Sequence, residues 1–186
     1  MKKLLLLLAV CTTTTVLVSC KKEVPVKEAE SSTEIITPRV DNPEECPPTT
    51  VQLTAGQTIN SGTVTVSNDA NFIYVTYTTA NGYLLTQTHL YVGDCAAVPV
   101  NGQGNPIPGQ FPYASAHNYL NSFTYQIPIA ALGTAGCGCI AAHAVVVKLN
   151  SSGQVIEQQT GWGQGVRINP NSGNWGMKFE YCSCTL

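Results

Sequence analysis

The chain has 186 residues, a formal net charge of −2 and only 11% charged residues. That length holds one domain. Loss of Lys2 and Lys3 with a leader would take the charge to −4, which leaves no basic excess with which to bind nucleic acid or an anionic surface by bulk charge.

Two lysines precede an apolar stretch over residues 4–10, broken by Cys11 and a threonine run and resumed at Val16-Leu17-Val18-Ser19. The stretch is too short and too polar at its middle for a membrane span, and it reads as a signal peptide over residues 1–19. Leu17-Val18-Ser19-Cys20 resembles the bacterial lipoprotein signal: an aliphatic residue, a small residue before the cut, then the cysteine that takes the lipid. The resemblance implies a lipidated Cys20 and a protein held on a membrane by acyl chains such as palmitate, without a spanning helix. Lys21 and Lys22 follow, where an aspartate would signal retention at the inner membrane, so the expected place is the cell envelope, at the outer membrane, periplasmic or surface-exposed.

Residues 20–45 are dense in charge and hold several prolines without a hydrophobic period, and they read as a tether. Residues 46–186 are the opposite in composition. Their only charged residues are Asp69, Asp94, Lys148, Glu157, Arg167, Lys178 and Glu180.

In chain order this segment shows strand composition at 62–67, a turn at 68–71, and a strand at 72–79 with Ile73, Val75 and Tyr77 on one face. Ala80-Asn81-Gly82 marks a hairpin, because Asn and Gly accept positive φ at low cost. A strand over 83–92 returns from it. Residues 101–112 read as a loop, rich in Gly and Pro, and 113–119 as loop-like. Strands follow at 123–129, 140–149, 154–158 and 175–182, with a short helical turn near 128–132, a turn at 150–153 and a polar loop at 169–174. About seven to eight strands predict an all-β, antiparallel, disulfide-bridged sandwich.

With Cys11 in the leader and Cys20 lipidated, Cys46, Cys95, Cys137, Cys139, Cys182 and Cys184 remain, an even set that points to disulfides outside the reducing cytoplasm. Cys137-Gly138-Cys139 and Cys182-Ser183-Cys184 each present two side chains on one strand face. Antiparallel pairing would then join Cys137 to Cys184 and Cys139 to Cys182, leaving Cys46 for Cys95. A four-thiolate zinc site is the alternative.

The three histidines are His89, His117 and His143. In the expected strands His89 shares a face with Leu85 and Tyr91, and His143 with Ala141, Val145 and Val147, while His117 could lean over the same sheet. Converging, the three would resemble the ligand set of a catalytic zinc. Ser115 beside His117 suggests a triad only weakly, since no nucleophile elbow surrounds it. Asp69, Asp94, Glu157 and Glu180 are the only acids available for paired-carboxylate chemistry. Tyr113, Trp162 and Trp175 are candidate stacking residues for a carbohydrate or a protein surface ligand.

Five segments, 88–93, 109–113, 141–146, 162–165 and 174–177, together resemble a group of uncharacterised secreted domains in surface proteins and lipoproteins of environmental bacteria, particularly Bacteroidota. The resemblance spans roughly residues 58–182 and brings no activity with it. Where the group often has an acid before the first tryptophan, this chain has Gln158-Gln159-Thr160-Gly161. The favoured expectation is a lipid-anchored envelope protein whose β-sandwich serves binding, adhesion or envelope structure, with no cofactor. The alternative is a zinc-dependent extracytoplasmic hydrolase organised by the three histidines.

Overall fold

A computed structural model describes residues 47–171 and 173–184. The expected leader, the expected lipidation site Cys20, the stretch read as a tether and Cys46 lie outside the described residues. Among these no helix is long and apolar enough to cross a membrane, which says nothing of a β-barrel.

The strands are β1 (Thr49–Ala55), β2 (Ile59–Asn68), β3 (Phe72–Thr79), β4 (Leu84–Gly93), β5 (Tyr113–Leu120), β6 (Ser122–Pro128), β7 (Cys137–Leu149), β8 (Val155–Gly163), β9 (Val166–Arg167) and β10 (Met177–Cys182). They pair in the order β5-β4-β7-β8-β1-β2-β3-β6, and every pairing is antiparallel. β10 adds to β7, and β9 to β10. The fold is all-β, a sheet curled into a sandwich-like, nearly closed barrel.

Strict alternation builds the inner face. Val64 and Val66 of β2, Ile73, Val75 and Tyr77 of β3, Leu90 of β4 and Ile140, Ala142, Ala144 and Val146 of β7 are all fully buried in one core. Between them, Thr63, Thr65, Thr76 and Thr78 point outward. The curl brings β3 and β6 over β4: the Tyr77 hydroxyl donates to the His89 carbonyl at 3.1 Å, and the Tyr125 and Thr88 hydroxyls lie 2.8 Å apart.

A second, smaller core lies on the outer face of β4, β7 and β8. Tyr91, Ala141 and Trp162 are covered there by Val98 and Phe111 from the loop after β4, with Ile168, Trp175 and Met177 packed alongside. This long loop therefore acts as a lid over one patch of the sheet.

Several sequence expectations differ from this arrangement. β1 was not foreseen, β8 extends to Gly163, and β5 occupies the stretch read as loop-like. The short turn falls at Ile129–Leu132, as a single 3-10 turn. A bulge between Leu85 and Gln87 breaks the alternation of β4, so Leu85 joins the inner core while His89 stays outside. The expectation that the two share a face is corrected by that extra residue.

The disulfide pairing is also corrected. β10 meets β7 with Cys182 opposite Cys137 and Glu180 opposite Cys139. This is a register two residues away from the one that the expected pairing needs. Cys137 therefore bonds Cys182, and Cys139 bonds Cys95 at the end of β4, with Cα atoms 4.0 and 4.8 Å apart respectively. Cys184 is disulfide-bonded as well, and its partner lies outside the described residues. Thiols consumed in disulfides cannot form a four-thiolate zinc site. The grouping of Cys95 and Cys139 with Glu180 offers no metal site for the same reason.

Candidate functional site

The three histidines divide between the two faces of the sheet. His89 and His143 are register partners on β4 and β7. Both project to the outer side, with their Nδ1 atoms 3.3 Å apart and ring centroids 5.4 Å apart. The Trp162 ring packs edge-on against His143, centroids 4.9 Å apart, and Phe111 in turn meets Trp162 at 6.1 Å. His143 is buried at 7% exposure. His89 is half-buried and lines a shallow cleft of about 250 Å³ with Gln87, Ala114, Ser115 and Ala116.

Desolvation lowers the basicity of both rings. Burial, with His89 beside it as a lesser cause, holds His143 down to about 4, and burial lowers His89 as well. Both imidazoles are therefore neutral at pH 7, and of two facing Nδ1 atoms one donates and the other accepts.

His117 belongs to the opposite face. Period-two alternation on β5 puts it on the side of Tyr113 and Ser115. There its Nε2 meets the Thr88 hydroxyl at 2.8 Å and its ring packs on Phe123 at 4.4 Å. Thr88 is fully buried and also bonds the Tyr125 hydroxyl. Rather than completing a three-histidine set, His117 helps close the seam between β5 and β6. Among the described residues, groups of three ligating side chains do not include a histidine.

The other candidates are also separated. The Ser115 hydroxyl donates to the Ala116 carbonyl at 3.4 Å, away from the His117 nitrogen that bonds Thr88. Asp69 caps the β2–β3 turn, accepting from the Asn71 and Phe72 amides and the Tyr74 hydroxyl. Glu157 accepts from the Tyr83 hydroxyl at 2.6 Å and pairs with Lys148 at 3.6 Å. Asp94 holds a turn by accepting from the Ala96 amide. Each of these three acids thus has local structural work, while Glu180 lies exposed on β10 opposite Cys139.

Nor do Tyr113, Trp162 and Trp175 form one stacking platform. Tyr113 packs inward, near Tyr125 at 6.3 Å. Trp162 is only 5% exposed, and Trp175 packs against the outer core beside it.

One feature that composition concealed is a lattice of hydroxyls. Register places Thr50, Thr65, Thr76 and Thr124 in one row across β1, β2, β3 and β6, and Gln52, Thr63, Thr78 and Ser122 in the next. Cross-strand pairs within the rows are linked, Thr50 to Thr65 at 3.0 Å, Thr76 to Thr124 at 2.9 Å and Thr78 to Ser122 at 3.3 Å. The Thr-x-Thr spacing at 63–65 and 76–78 and the Ser-x-Thr at 122–124 were the available signal. Comparison with known protein families, curated proteins and solved structures finds no match to this chain.

Proposed function

We propose that this is a lipid-anchored cell-envelope protein whose β-domain binds a neutral, hydroxyl-rich surface, a glycan being the chemistry of choice. The anchoring part rests on the sequence at Leu17-Val18-Ser19-Cys20 and on the tether behind it. Disulfides at Cys95–Cys139 and Cys137–Cys182 agree with an oxidising compartment.

The observation that carries the binding part is the pair of uncharged rows on β1, β2, β3 and β6. Each hydroxyl there both donates and accepts, and adjacent strands repeat at about 4.8 Å. Such a face offers many weak, directional contacts and no charge to screen. Salt-insensitive binding of an uncharged polymer follows from it, and nucleic acid does not suit it. The zinc-hydrolase reading loses its support once His117 faces the other way.

Labelling cells with radioactive palmitate and fractionating them tests the anchor: wild-type protein carries label into the outer membrane, and Cys20→Ala does not. Sedimentation with insoluble neutral polysaccharides tests the face. Thr65→Lys with Thr76→Lys abolishes retention if the rows bind, and retention equal to wild type refutes them.

A further inference from the structure

We propose that His89 and His143 form the protein half of a binding site for a late first-row divalent ion, Zn²⁺ above all. The inference does not depend on the anchoring or glycan reading. It starts from a distance. Two imidazole nitrogens held by one zinc at about 2.0–2.1 Å in tetrahedral geometry stand roughly 3.3–3.4 Å apart, and the two Nδ1 atoms are 3.3 Å apart without an ion between them.

The arrangement is also fixed in advance. Direct register opposition sets the two backbones, and the edge of Trp162 holds the His143 ring from one side. A metal therefore meets two ligands on fixed backbones, of which His143 has little side-chain freedom left to lose, which favours binding. The only bond given up is the weak one between the rings. The ring that carries its proton on Nδ1 moves it to Nε2, and both lone pairs then face the ion.

The remaining coordination positions open toward the cleft, where Gln87 supplies a polar side chain and the alanines 114 and 116 leave room for water. Two imidazoles select zinc, nickel or copper over magnesium or calcium, which prefer oxygen donors. Open positions make this a site for an exchangeable ion or for a metal shared with a bound ligand.

The test is calorimetric titration of the full chain, without a polyhistidine tag, with Zn²⁺ and with Mg²⁺. Saturable one-to-one binding of Zn²⁺ is expected, with none of Mg²⁺. His89→Gln, at the half-exposed ring, weakens it by about ten-fold or more, since loss of even an outer partner of a ligand costs that much. His117→Ala leaves it unchanged. In parallel, ¹⁵N shifts of the imidazoles read the site with no substitution: those of His89 and His143 move together on adding Zn²⁺ while those of His117 stay. Absence of saturable Zn²⁺ binding, wild-type affinity in His89→Gln, equal loss in His117→Ala, or stationary His89 and His143 resonances would each overturn the proposal.

Discussion

The Thr88 hydroxyl on β4 sits 2.8 Å from the Tyr125 hydroxyl on β6, across the gap where the sheet curls to meet itself. β5 and β6 are consecutive in the chain yet lie at the two ends of the pairing order. Among the described residues, side chains bridge the two ends, with Thr88, Tyr125, His117 and Phe123 in contact. Thr88→Val takes from half-buried His117 its hydroxyl partner and leaves the Tyr125 hydroxyl only the Thr88 carbonyl, at 3.2 Å, so it should cost about 1–2 kcal/mol. Urea unfolding of Thr88→Val, Tyr125→Phe and the double variant measures it, and a coupling energy near zero would contradict the closure.

The disulfides fasten both sides of the β7 N-terminus, one to β4 and one to β10. Non-reducing digestion and mass spectrometry should return Cys95 linked to Cys139 and Cys137 linked to Cys182. The sequence separation of the first is 44, so replacing both of its cysteines by alanine should lower stability by about 4 kcal/mol on the chain-entropy account.

Acid should destabilise the domain in two stages. In the unfolded chain His143 titrates at 6.5, and burial holds it at about 4 in the fold. Between those values the unfolded chain takes up a proton that the folded one refuses, so stability falls as pH drops from about 6.5 toward 4 and then levels. The full shift corresponds to about 3 kcal/mol, and His89 and His117, also lowered by burial, add with the same sign. Asp69, lowered chiefly by the Tyr74 hydroxyl, and Glu157, lowered chiefly by the Tyr83 hydroxyl, act only at lower pH. Their stabilising bonds are lost as the carboxylates protonate. Urea midpoints of wild type and His143→Gln between pH 7 and 4 check the first stage, whose slope the substitution should reduce.

Two glycines should respond differently to alanine. Gly62 has φ +147°, and a Cβ there would fall 2.0 Å from the Thr78 carbonyl oxygen of β3. Gly62→Ala should therefore cost at least about 2 kcal/mol, by backbone strain and overlap together. Gly82, at φ +79° in the β3–β4 hairpin, has open space around it, so Gly82→Ala should cost about 1 kcal/mol. Equal thermal shifts in the two variants would refute the distinction.

Strand alternation was legible wherever apolar residues recur with period two, as at Ile73, Val75 and Tyr77, all fully buried. It failed at β5, because Ala114, Ser115, Ala116 and His117 carry no apolar signal. That strand is defined by its pairing with β4. At the candidate site, the sequence could show that His143 sits among apolar residues of its own strand, but it could not show which face of a neighbouring strand would join it.

The residues alone determined the all-β class, the Asn81-Gly82 hairpin and the even set of cysteines. These depend on local backbone preference, on the two-residue period and on composition. Tertiary structure decided the rest. Register chose Cys182 over Cys184 for Cys137, a bulge at Leu85 and Gln87 turned one side chain inward, and cross-strand opposition brought His89 to His143 while leaving His117 behind. A period of two says only that neighbours alternate. Which residue stands opposite which is set by pairing between distant segments, where a slip of one residue exchanges the two faces and a slip of two changes every partner.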